Sequence, residues 1–307
     1  MAEHRTRYAF FMGKGGVGKS TTAALSALNL AREGKKVLLV SLDPAHNQSD
    51  IFDTGFSGKP KKISDGLMIA ESDSDKWIKH YLKDTEEHIK SVYSYHAAFD
   101  FGKHFKVLKH SPGIEEYALL QAFNHYRGKH SDMDMLVLDM PPTALSTKFF
   151  RLPSLSLVWL EHLEKLRREI IEKKEICTTI QFGKKTLQRD KILNKLTEQI
   201  AFYEKKAALF KDGAACRVHL VFNPEPISRS EARRFREHLV ELGVHPAAYV
   251  CNKWDGTYDL EEVSRDFSAD VHPVPVSQKS LIGLDALTQF LKSNPEICRF
   301  LGRDCAA

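Results

Sequence analysis

The chain has 307 residues, of which 42% are hydrophobic and 28% charged, with a formal net charge of +5. That is enough apolar material for a real core, in two average domains or one large α/β domain. It excludes a low-complexity chain, and no apolar run has the length of a membrane span. Five cysteines, at 177, 216, 251, 298 and 305, form no C-x-x-C pair. The N-terminal MAEHRTRYAFF lacks the long apolar stretch of an export signal, so a cytoplasmic location is expected, with a peripheral membrane position left open.

The first predicted element is a buried strand from Tyr8 to Met12. It runs into GKGGVGKST, which fits the template G-x-x-x-x-G-K-[ST] from Gly13 through Gly15, Gly16, Val17 and Gly18 to Lys19 and Ser20. A helix from Thr21 to Arg32 follows, with Ala24, Leu25, Leu28 and Leu30 among its apolar positions. Strand, glycine loop and helix are together the context in which this template is expected to bind a nucleoside phosphate. Glycines let successive backbone N–H groups turn toward an anion, and the helix N-terminus adds positive potential. Lys19 would then reach the terminal phosphates and the Ser20 hydroxyl would bind Mg²⁺.

Further apolar runs at 36–42, 67–73, 133–140, 216–223, 247–252 and 271–277 read as strands. Amphipathic helices such as Ser228 to Leu242 and Leu281 to Leu291 separate them. Strands alternating with helices imply an α/β fold with a mostly parallel sheet. Two stretches, 74–131 and 150–212, break the alternation and read as helical throughout. The second is taken as a helical insert in a core made of 1–149 and 213–307.

Candidate chemistry collects at strand ends, where open α/β sheets bind ligands. The second strand leads into DPAHNQSD, whose Asp43 is placed to hold a metal-bound or attacking water; MDMLVLD ends at Asp139, a second acid for the metal. At the end of the 247–252 run, Asn252-Lys253-Trp254-Asp255 also matches the N-K-x-D pattern with which GTPases read guanine, which keeps a GTPase reading open.

The loop GKGGVGKST, with its extra Lys14, resembles the deviant phosphate loop shared by partitioning ATPases, nitrogenase reductase and metalloid-pump ATPases. DPAHNQSD, PGIEEY at 112–117 and FFRLP at 149–153 are similar to the ArsA branch, which includes ATPases that target tail-anchored membrane proteins. The resemblance covers most of the chain. It implies a homodimeric P-loop ATPase using Mg²⁺ with ATP. Lys14 would touch the partner's nucleotide, Asp43 would position the attacking water, and Asn252 would contact adenine. A client, either a metalloid, a membrane protein or another partner, would meet the helical insert; a nucleic-acid partner is not expected.

The chain departs from that family in places. Its second switch continues Asp139-Met140-Pro141-Pro142-Thr143-Ala144-Leu145, where the family usually has Asp-Thr-Ala-Pro-Thr-Gly-His. All six methionines lie at or before Met140, so the insert has none of the methionine typical of promiscuous grooves. Cys177 is the one cysteine of the insert, while Cys216 and Cys251 fall in predicted strands and read as core filler. Within the insert, Leu160, Leu163, Leu166 and Ile170 recur at helical spacing, as do Leu193, Leu196, Ile200, Tyr203, Ala207 and Phe210. Both sets are expected to form seams that pack on each other as a hairpin or against a partner. A partitioning ATPase resembling ParA or MinD is the alternative class.

Overall fold

Strand β1 (Arg7–Met12) lies inside an eight-stranded sheet in a computed structural model that describes residues 6–45, 47–92, 111, 113–182 and 190–301. The other strands are β2 (Val37–Ser41), β3 (Lys61–Ser64), β4 (Leu67–Glu71), β5 (Met135–Asp139), β6 (Cys216–Phe222), β7 (Pro246–Trp254) and β8 (Val271–Pro275). Their spatial order is β3-β4-β2-β5-β1-β6-β7-β8. All neighbouring pairs are parallel except β3 with β4, which is antiparallel. The fold is therefore the expected α/β arrangement, with helices on both faces of a mostly parallel sheet.

Helix α1 (Lys19–Arg32) follows β1 and α2 (Asn47–Ile51) follows β2. Next come α3 (Ser74–Val92), α4 (Ile114–Lys129), α5 (Thr143–Phe182) and α6 (Lys191–Lys211). The chain closes with α7 (Pro226–Glu241), α8 (Leu260–Phe267), α9 (Leu284–Ser293) and α10 (Pro295–Leu301).

Alternation along β1 divides the core. Phe11 and Ala9 face α1, α9 and α10, together with Val37, Leu39, Val137 and Val250. Phe10, on the other face, meets Phe123 of α4, Phe149 and Phe150 of α5, and Phe210 of α6, at centroid separations of 5.2 to 6.1 Å. The long helices thus grow out of the main core. Helix α5 starts four residues after Asp139 and carries Pro153 in its third turn.

Three expectations need correction. Strand β3 was not anticipated: KKIS is a short, solvent-exposed edge segment without the apolar run or alternation that marks a strand. The stretch 74–131, read as helical throughout, holds two helices, α3 and α4, packed together; residues 93–110 and 112 lie outside the described residues. Finally, α5 and α6 do pack on each other, but Leu166 and Ile170 are not in the seam. They are 47% and 45% exposed, and share a side of α5 with exposed Leu155 and Trp159 because the steps of four and seven return to one helix face. The side chain of Cys177 lies outside the described ones.

Candidate functional site

The C-terminal ends of β1, β2 and β5 lie side by side, in register, at the point where the chain order reverses from β5 to β6 on either side of β1. In open α/β sheets this is where ligands bind. The loop from Gly13 to Gly18 leaves β1 here, and Gly18 forms the N-terminal boundary of α1 at φ 89°. Two glycines are required by close approach. A β-carbon at Gly13 would collide with the Val221 carbonyl of β6, and one at Gly18 with the side-chain amide of Asn252.

Lys19 is buried and bends back along the loop, its Nζ donating to the Lys14 carbonyl at 3.3 Å. Ser20 is buried at the start of α1, its hydroxyl accepting from Asn47 Nδ2 at 3.2 Å. Val17 is buried, and Thr21, half-buried, follows Ser20 in the first turn. Asp43, also buried, accepts from the Ala45 N–H at 3.1 Å.

Asp139 ends β5 fully buried. Its Oδ2 accepts from Gln48 Nε2 at 3.0 Å and from the Ser41 hydroxyl at 3.4 Å. Its Oδ1 is buried without a partner. Burial raises its pKa to about 6, against hydrogen bonds from Gln48 and Ser20 and the nearby charge of Lys19, while Asp43 adds to the rise. A buried, unsatisfied carboxylate oxygen beside a serine hydroxyl is an oxygen donor set that fits Mg²⁺ carried by a nucleotide.

Lys14 and Asn252 occupy positions at the edge of this cluster. Lys14 Nζ forms an ion pair with Glu231 Oε1 of α7 at 3.0 Å. Asn252 Nδ2 donates to the Val17 carbonyl at 2.8 Å, and Lys253 Nζ to the Gly16 carbonyl at 3.0 Å. The pair Asn252-Lys253 therefore grips the loop from β7, while Asp255 accepts from the Thr257 N–H in an exposed turn.

Gln48 is the main residue that sequence reasoning passed over. It is fully buried in α2, and its amide also reaches the Ser20 carbonyl at 3.1 Å, so one side chain joins the α1 start to the β5 end. Glu71, buried at the end of β4, accepts from the Ser49 N–H and hydroxyl, both at 2.7 Å, and anchors α2. The only signal for either was position: Gln48 in DPAHNQSD and Glu71 at the end of an apolar run.

Elsewhere the cysteines are quiet. Cys216 and Cys251 are buried in strands; burial pushes the Cys251 thiol up to about 12, and the Cys216 thiol upward as well. Among the described residues, no helix is long and apolar enough to cross a membrane.

Comparison with known proteins agrees with this geometry. The family model described as "Anion-transporting ATPase" matches residues 6–265. The chain is 27% identical to the "Putative arsenical pump-driving ATPase 2" of Aquifex aeolicus (strain VF5), over 94% of this chain and 99% of that protein. It is 30% identical to the "Putative arsenical pump-driving ATPase 1" of the same organism, over 92% of this chain and 76% of the relative. Similarity to "ATPase GET3C" of Arabidopsis thaliana is 27%, over 81% and 67% of the two chains.

Proposed function

The chain belongs to the anion-transporting ATPase family, of the ArsA type, and is an ATP hydrolase; from that premise we propose that it works as a Mg²⁺-dependent homodimeric switch acting on a client held by α5 and α6. The observation that carries this reading is the meeting of Lys19, Ser20, Asp43 and Asp139 at the ends of adjacent strands, with α5 starting four residues beyond Asp139.

The loop N–H groups from Gly13 to Thr21 and the N-terminus of α1 cradle the phosphates, and Lys19 exchanges its contact with the Lys14 carbonyl for them. Ser20 and Asp139 would hold Mg²⁺, with Asp43 close by, and the ion would supply positive charge against the phosphates. Asp43 orients the attacking water. Lys14 leaves Glu231 and reaches the nucleotide of the second subunit, adding positive charge where the transition state is most negative. Asn252 flanks the adenine while holding the loop.

A change of ligand at Asp139 reaches α5 through Met140, Pro141 and Pro142, a three-residue connection that two prolines stiffen. Leu155, Val158, Trp159, Leu166 and Ile170 expose apolar surface along that helix, which supports a client-binding role for the insert from 150 to 212. A thiolate-bound metalloid fits less well, because Cys216 and Cys251 are buried with raised pKa values. The residue pattern DPAHNQSD and the long insert favour this reading over a partitioning ATPase.

The test is sedimentation of the full chain with and without Mg²⁺ and a non-hydrolysable ATP analogue. A nucleotide-dependent shift from monomer to dimer is expected. A species that stays monomeric at all protein concentrations, with undiminished turnover, would remove the dimeric switch.

A further inference from the structure

At the far end of β1 from the glycine loop, about 20 Å away at the rise of an extended strand, a second cleft opens between α4 and α6. Its volume is about 340 Å³, and its lining includes Thr6, Tyr8, Asn124, Arg127, Phe202 and Lys206. None of these residues belongs to the nucleotide site.

Lys206 is the unusual member. It is only 5% exposed, although lysine almost never buries itself without a partner. Its Nζ lies 5.9 Å from the ring centre of Phe123 and 5.2 Å from that of Phe202. The second cation, Arg127, donates through Nε to the Tyr8 hydroxyl at 2.9 Å, with its guanidinium 5.8 Å from the Tyr8 ring centre. Among the described residues neither cation forms an ion pair. Burial, with a smaller contribution from Arg127, lowers the Lys206 pKa to about 8. Two cations lining one cleft with no counter-charge are an electrostatic cost, which aromatic faces offset only in part.

The remaining polar groups suit the same occupant. The Tyr8 hydroxyl accepts from Arg127 and keeps its own proton to donate. The side-chain oxygen of Asn124 is buried without a partner, so a ligand that also carries an N–H or O–H group would satisfy it. The cleft exceeds the needs of a lone inorganic anion and has room for the body of a small metabolite.

We propose that this cleft is a binding site for a small oxyanion, the phosphate or carboxylate group of a metabolite, held by Lys206 and Arg127 and by the Tyr8 hydroxyl. Such a ligand would sit at one end of β1 with the nucleotide at the other. Strand β1 is buried from Tyr8 to Met12 between β5 and β6, so the two sites share a central element of the sheet.

Calorimetric titration of the full chain, its nucleotide loop filled with a non-hydrolysable ATP analogue, tests the site with inorganic phosphate and separately with citrate. Binding is expected for at least one, weakened about 10- to 100-fold in Lys206→Met and in Arg127→Gln. Nucleotide affinity should be the same in both variants as in the wild type, which also shows that they fold. Binding of phosphate alone assigns a phosphorylated ligand, and of citrate alone a carboxylate. No binding to the wild type, or binding that persists undiminished in both variants, overturns the proposal.

Discussion

Lys14 is bound to Glu231 of its own chain, Nζ to Oε1 at 3.0 Å, across a sequence separation of 217 residues. Both side chains are well exposed, so the pair itself adds little stability. Its interest lies in competition, since the same ammonium cannot serve Glu231 and a second subunit's nucleotide. Glu231→Gln should therefore raise turnover at low protein concentration and shift the concentration dependence of activity to lower values. Steady-state rates over a dilution series measure this; identical curves for the two proteins would show that the contact is incidental.

Lys14→Ala should lose turnover by about 10³ to 10⁵, the size of an arginine-finger effect, with far less loss of nucleotide binding. Asp43→Asn should likewise retain ATP and lose turnover. Mixing the two inactive variants should restore activity, because a mixed dimer has one site with an intact Asp43 facing an intact Lys14. If mixing restores nothing, Lys14 acts within its own chain.

Lys19→Ala should abolish hydrolysis and weaken ATP binding together, since the proposed phosphate contact would be made in the ground state as well as in the transition state. Equilibrium binding of a fluorescent ATP analogue separates this pattern from that of Asp43→Asn. A Lys19→Ala protein with wild-type affinity would contradict the role given to the loop.

Gly18→Ala should cost roughly 1 to 3 kcal/mol through its left-handed backbone, and more through collision with the Asn252 amide. Asn252→Ala removes a single hydrogen bond to Val17, worth about 1 kcal/mol, and should weaken ATP binding several-fold. Asp255→Ala should leave ATP affinity unchanged, because its carboxylate serves the turn at Thr257. A preference for GTP that disappears in Asp255→Ala would reverse the choice of base.

Asp139 makes stability depend on pH. Its pKa is about 6 in the folded chain against 3.8 for the free side chain, so the folded state holds the proton more tightly. Stability from this group is full below 3.8 and is lost as pH rises through the window to about 6. At about 1.4 kcal/mol per pH unit, the loss at neutral pH is roughly 3 kcal/mol. Asp139→Asn should accordingly stabilise the nucleotide-free protein at about pH 7 and leave it nearly unchanged at about pH 3.5, while Mg²⁺-dependent turnover disappears. Chemical denaturation at the two pH values checks this, and an equal effect at both would be inconsistent with a raised pKa at Asp139.

Much of this architecture could be read directly, because its signals are local. Apolar runs such as VLLVS and MLVLD announce strands buried on both faces, and the glycine spacing from Gly13 to Gly18 specifies a loop before any partner is known. The residues that escaped notice depend on distant neighbours. Gln48 matters through Asp139, 91 positions away, and Lys253 through Gly16, 237 positions away. Gln48 carries no pattern of its own, and the N-K-x-D pattern that includes Lys253 gives no sign of its contact with the loop. The outward turn of Leu166 and Ile170 was hidden for a related reason: helical spacing identifies a face, but not what covers it.

Helix α5 has a mechanical consequence. Its 40 residues span about 60 Å at 1.5 Å per residue, with Phe149 and Phe150 near its start buried in the core. If the helix kept its shape through Pro153 and moved as one body, it would act as a lever with a short arm at Asp139 and a long arm in the insert. A tilt of about 5° at its base, a displacement of only a few tenths of an ångström over the first turn, would sweep the far end through about 5 Å. The gap between losing a phosphate and moving a protein-sized object would then be bridged by length alone.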